Sequence, residues 1–143
     1  MAGTTFQVSV VTPERAVLEA DAHFVAYPAH DGEVGILPGR APLLHKLGMG
    51  TLRVDLPGDE KRVFFVDGGF AQMIDDKLTL LTEQAREPQE LEREAIERLL
   101  VEAREARADG EGDGGSVDAA AERQVAVQRA RAQLRLLERH GDA

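Results

Sequence analysis

Apolar and polar residues alternate in the first part of the chain and recur at helical spacing in the last. Phe6-Gln7-Val8-Ser9-Val10 alternates apolar with polar, as a strand with one buried face does, and Leu52-Arg53-Val54-Asp55-Leu56 repeats the pattern. The turn Pro57-Gly58-Asp59 leads into Arg62-Val63-Phe64-Phe65-Val66, an apolar run that predicts burial on both faces. Gly68-Gly69 and Asp75-Asp76 punctuate two more short strands, Phe70 to Ile74 and Lys77 to Thr82. Many short strands with closely spaced turn signals predict an antiparallel sandwich or barrel.

After Pro88 the period changes. Pro88 suits the first turn of a helix, and Glu87 and Glu90 suit its positive end. Leu91, Ala95, Leu99 and Ala103, flanked by Ile96 and Leu100, predict one apolar stripe. Arg93–Glu97, Glu94–Arg98 and Arg98–Glu102 fall at i,i+4 on the polar side. The segment DGEGDGG at 109–115 breaks the pattern, and Ser116 or Asp118 can cap a second helix with the stripe Ala120, Val127, Ala130, Leu134 and Leu137. Neither helix is apolar enough to stand alone, so the two are expected to pack as a hairpin or on a partner.

Composition sharpens the division. All six aromatic residues and five of the six prolines precede residue 86, whereas the 55 residues after Pro88 are rich in Ala, Glu and Arg. The predicted organisation is a β-domain over 1–85 and a helical hairpin over 86–143 with a glycine-rich turn at 109–115. A net charge of −9 argues against a nucleic-acid binder, whose footprint is basic. The absence of cysteine excludes disulfides and thiolate metal sites. No signal peptide is expected at MAGTTFQ, and no apolar run approaches the length of a membrane span, so any work at a membrane is expected through another protein, without insertion.

Few residues suggest chemistry. In DGEGDGG, Asp109, Glu111, Asp113 and Gly114 imitate positions 1, 3, 5 and 6 of a calcium loop, but position 12 is Ala120, which removes the strongest ligand and favours a plain turn. His23, His30, His45 and His140 lack metal-ligand spacing. Ser9 and Ser116 lack a nucleophile context, and neither a dinucleotide fingerprint nor a Walker sequence is present. No catalytic, cofactor or metal residues are expected, and a noncatalytic role follows. The charges of the helices differ in sign: residues 87–107 carry a net −3 and residues 118–139 a net +2. Either the charges close the hairpin, or the basic face of Arg123, Arg131, Arg135 and Arg139 docks on an acidic surface.

The densest signal is Gly32 to Leu44, GEVGILPGRAPLL, with three glycines and two prolines around Val34, Ile36 and Leu37. Such a cluster suits unusual dihedrals or close approach, and Pro38-Gly39 and Ala41-Pro42 predict two turns that present Glu33 and Arg40 near the bends. This stretch resembles the signature loop of the epsilon subunit of bacterial F-type ATP synthases, GE-x-GI-x-PGHAPL, with Arg40 where the family often has histidine. Val10 to Glu14, Val66-Asp67-Gly68-Gly69-Phe70 (similar to the family's SGG turn) and Ala132 to Glu138 (similar to its AQLR segment) extend the likeness over nearly the whole chain.

The resemblance implies a flattened β-sandwich followed by a two-helix domain. It implies a noncatalytic rotor subunit that joins the gamma subunit to the ring of membrane c subunits. Its helices are expected to restrain ATP hydrolysis at the catalytic alpha and beta subunits, on the cytoplasmic face of the bacterial inner membrane. By position, Glu33 and Arg40 are the expected c-ring-facing residues, and Arg123, Arg131, Arg135 and Arg139 the expected inhibitory face. The ATP-binding motif I/L-D-x-x-R-A of some members is altered here to Leu91-Glu92-Arg93-Glu94-Ala95-Ile96, so ATP is not an expected ligand. Helices of roughly 20 residues are each about 30 Å long, so a hairpin opened at DGEGDGG reaches about 60 Å. The alternative function is a free-standing β-sandwich binding module that oligomerises through its hairpin.

Overall fold

The computed structural model describes residues 4–109 and 117–140. The chain divides into two compact units, Met1–Pro88 and Gln89–Ala143.

The first unit is a sandwich of two five-stranded sheets. Its strands are β1 Phe6–Val11, β2 Ala16–Ala22, β3 Phe24–Ala29, β4 Gly32–Ile36, β5 Leu43–Lys46, β6 Met49–Leu56, β7 Glu60–Asp67, β8 Phe70–Ile74, β9 Lys77–Leu81 and β10 Ala85–Arg86. One sheet has the order β2-β1-β9-β8-β5 and the other β10-β7-β6-β3-β4. All ladders are antiparallel except β1–β9, which is parallel and pairs Val8 with Leu78 and Val10 with Leu80.

The expected strands appear where alternation placed them. Phe6, Val8 and Val10 are buried while Gln7 is exposed. They meet Leu78, Leu80, Met73 and Ala71 from their own sheet and Tyr27, Ile36, Leu52, Val54, Phe64 and Val66 from the other. Each large side chain removed from water here contributes about 1.5–3 kcal/mol. In β7, Phe64 and Phe65 are both fully buried although they point to opposite faces, as the apolar run predicted.

The second unit is a helical hairpin of α1 Arg93–Asp109 and α2 Val117–His140. Pro88 does not open α1. It begins a short 3-10 turn, Pro88–Glu90, and the first α-helical hydrogen bond runs from Ile96 N–H to the Glu92 carbonyl. The seam also differs from the expected stripe. Ile96 is buried against Ala130 and Leu137, with Leu91, Leu100 and Leu134 partly buried beside them, while Leu99 is 61% exposed. At about 100° per residue, the 96/100 ridge and the 95/99 ridge lie side by side. Facing α2 with the first turns the second outward.

Most of the glycine-rich turn, including Glu111, Asp113 and Gly114, and the cap Ser116 lie outside the described residues. No described helix is long and apolar enough to cross a membrane.

Candidate functional site

The signature stretch forms the open side of the sandwich, where each sheet ends. β4 is the edge of one sheet and β5 the edge of the other, and residues 37–42 carry the chain across. Two of its glycines adopt positive φ, Gly32 at 140° and Gly39 at 81°. The third, Gly35, serves close approach, since a Cβ there would lie 2.9 Å from the Phe24 ring.

Glu33 is exposed on β4 opposite Pro28, next to the β3–β4 turn. Arg40 is exposed in the crossing loop beyond the other end of β4. About 10 Å of strand separates Glu33 from the start of that loop. The two residues form no salt bridge with each other among the described residues. Both are presented, but not as one cluster.

Arg40 has an inward neighbour that sequence reasoning missed. Tyr27, fully buried on β3, is hydrogen-bonded through its hydroxyl to His45 Nδ1 on β5 at 2.7 Å, which links the two sheets. Their rings meet edge-on with centroids 6.0 Å apart. Burial pushes the Tyr27 hydroxyl up to about 12, against the opposing pull of the Arg40 charge. His45 is therefore a strut between sheets. Among the described residues no group of three or more His, Asp or Glu side chains could hold a metal.

A second feature was also missed. The outer face of the β5–β8–β9 sheet carries Leu44, Phe70, Ile74 and Leu81, with Leu44 68% and Phe70 53% exposed. The register sets Phe70 opposite Leu81 on β9, and Leu44 opposite Gln72, two positions along β8 from Phe70. Val11 and Pro13 border a shallow depression with Phe70 and Leu81. The signal was present in β8, where Ala71 and Met73 fill the core while Phe70 and Ile74 flank them with apolar side chains on the other face.

On α2, Arg131, Arg135 and Arg139 are exposed and Arg123 is half-buried. Arg123 and Arg131 line a groove between the helices together with Arg104 of α1, and Val127 lies in that groove between them. Val127 thus shares the groove with two of the basic-face arginines, although the sequence pattern counted it in the apolar stripe. Arg135 and Arg139 continue along the helix at four-residue steps.

Known proteins resemble the chain over this whole arrangement. Residues 5–88 match the family model of the ATP synthase delta/epsilon chain β-sandwich domain. The ATP synthase epsilon chain of Rhodopirellula baltica is 41% identical over 126 residues, covering 88% of this chain and 93% of its own length. That of Alkalilimnicola ehrlichii is 34% identical over 136 residues, covering 95% and 94%. Among solved structures, a chain of the Euglena gracilis mitochondrial ATP synthase (OSCP/F1/c-ring) superposes with a TM-score of 0.82 at 19% identity, covering 96% of this chain and 84% of that one, and so shares the fold. The exposed apolar sheet face, the crossing loop and the hairpin are thus features of a noncatalytic subunit: the chain belongs to the ATP synthase delta/epsilon-chain family, as an epsilon subunit.

Proposed function

We propose that this epsilon subunit works in the rotor, docking on gamma through the outer face of its sandwich and on the c-ring through the Glu33–Arg40 stretch. In this reading the C-terminal helices inhibit ATP hydrolysis at the catalytic subunits, and the assembly works at the cytoplasmic face of a bacterial inner membrane. The observation that carries the reading is the exposed apolar strip of Leu44, Phe70, Ile74 and Leu81. A contiguous apolar face of this kind is the sort that marks a protein interface, and in the rotor reading gamma is the partner assigned to it.

The groove of Arg104, Arg123 and Arg131 supports the regulatory part. A cluster of guanidinium groups is complementary to an acidic surface, which is what the catalytic subunits would offer in this reading. With α1 of 17 residues and α2 of 24, the helices measure about 26 and 36 Å, so an opened hairpin spans roughly 60 Å.

The test replaces Leu44 and Phe70 together with Asp. Both side chains are exposed, so the fold is expected to survive. Burial of two such groups at an interface contributes several kcal/mol, so affinity for epsilon-depleted F1 should fall by roughly a hundredfold or more. Unchanged affinity in a folded variant overturns docking by this face.

A further inference from the structure

The crossing loop at 37–42 is built to be held from outside. Pro38 and Pro42 have no N–H to donate, and no backbone–backbone hydrogen bond joins the loop to the rest of the chain among the described residues. Among those residues its one hydrogen bond to the rest of the chain is Gly39 N–H donating to Asp76 Oδ1 at 2.8 Å, across 37 positions of sequence.

Asp76 is an unusual residue for its place. Asp75 and Asp76 form a two-residue turn between β8 and β9, with Ile74 paired to Lys77. Both have left-handed backbones, φ 49° and 56°. Hairpin turns of this geometry favour glycine at the second position, because a Cβ there is strained. Glycine at Asp76 would relax the turn but would leave Gly39 N–H without its acceptor. The Asp76 carbonyl also accepts from Gln7 N–H at 3.0 Å, so the turn is itself anchored to the start of β1.

We infer that Asp76 is a positioning residue for the partner-facing loop: its carboxylate, through Gly39 N–H, fixes the conformation in which Arg40 is presented. This rests on the proposed docking of that loop and adds the residue that pre-organises it. A loop held in one conformation loses less freedom on docking, so the clamp favours binding without touching the partner.

The test compares D76N, D76A and D76G in the full-length chain. Asn keeps an acceptor oxygen and tolerates the left-handed backbone, so D76N should retain slow exchange of the Gly39 amide. Loss of the acceptor in D76A and D76G should speed that exchange on the order of tenfold. D76G should do so without lowering the unfolding midpoint, because it removes backbone strain. A residue needed only for the turn would not separate the two readouts. Unchanged Gly39 exchange in D76A and D76G overturns the inference. Rebinding of D76G to membranes depleted of this subunit should weaken several-fold. Faster Gly39 exchange with unchanged rebinding of D76G overturns the positioning role of Asp76, whereas unchanged rebinding of Arg40→Ala would overturn the docking of the loop itself.

Discussion

Replacing Gly69 with alanine separates a backbone cost from a collision. Gly69 lies between β7 and β8 with φ 108°, and a Cβ on it would stand 1.8 Å from the Leu81 carbonyl oxygen and 2.9 Å from Thr82 Cα. Its own carbonyl accepts from Leu47 N–H at 2.8 Å, so the segment cannot shift freely. Left-handed backbone costs an L-residue about 1–2 kcal/mol. Forcing an atom into packed backbone adds about 1–3 kcal/mol. The sum is about 2–5 kcal/mol, against the roughly 4–13 kcal/mol expected of a unit the size of Met1–Pro88. Gly58→Ala supplies the control: φ is 81° there, but nothing lies within 4 Å of the new Cβ, so only the backbone cost of about 1–2 kcal/mol applies. Urea unfolding followed by near-ultraviolet circular dichroism of Tyr27, the single tyrosine in a chain without tryptophan, reports the sandwich alone. Gly69→Ala should lower the midpoint well beyond Gly58→Ala, or abolish the folded signal. Equal losses in the two variants would refute the collision.

The same tyrosine gives a pH test. Its hydroxyl is raised to about 12 by burial, so the native state holds the proton more tightly than the unfolded chain, whose midpoint lies near 10. The stability this contributes is fully present below about pH 10 and is lost as pH rises toward 12. Absorbance at 295 nm should titrate near 12 in the folded protein and about two units lower in urea, and Arg40→Ala should raise the folded midpoint further; a folded midpoint near 10 would contradict the burial. The proposed inhibitory face is tested by reversing Arg131 and Arg135 to Glu, which should speed ATP hydrolysis by the assembled enzyme with assembly intact. Inhibition by the unaltered subunit should weaken as salt rises. Unchanged hydrolysis in the reversed variant, in an enzyme that the intact subunit inhibits, would sink the docking of α2.

What could be read from the sequence follows from which contacts are local. β1, β6 and β8 were legible because each buries one face at a period of two, as in Phe6, Val8 and Val10. β2 was not, since only Leu18 and Ala22 of its seven residues are buried and Glu19 and Asp21 dilute the pattern. β3 was hidden by Pro28, which reads as a strand breaker. In the fold Pro28 pairs with Glu33 beyond the end of the β3–β6 ladder, and its carbonyl accepts from Gly48 N–H. Proline is tolerated there because no neighbouring strand needs its missing donor. The site was legible as composition and not as direction. The glycines of the signature loop announced special backbone, but their partners, Phe24 for Gly35 and Asp76 for Gly39, are set by the fold.

The contrast between the two units bears on where the proposed regulation would reside. The sandwich closes over a core of many fully buried large side chains, including Tyr27, Phe64, Leu52 and Ile36. The hairpin seam holds Ile96, Ala130 and Leu137, with Leu91, Leu100 and Leu134 only partly covered. Buried Ile and Leu contribute about 1.5–3 kcal/mol each, and alanine much less, so parting α1 from α2 costs far less than opening the sandwich. Leu99 and Val101 of α1 and Val125 of α2 are already exposed, which gives separated helices apolar surface to lay on another protein. A well-filled sandwich carrying the proposed docking face and a thinly sealed hairpin carrying the proposed inhibitory arginines is the division expected if one half is to stay bound while the other changes position.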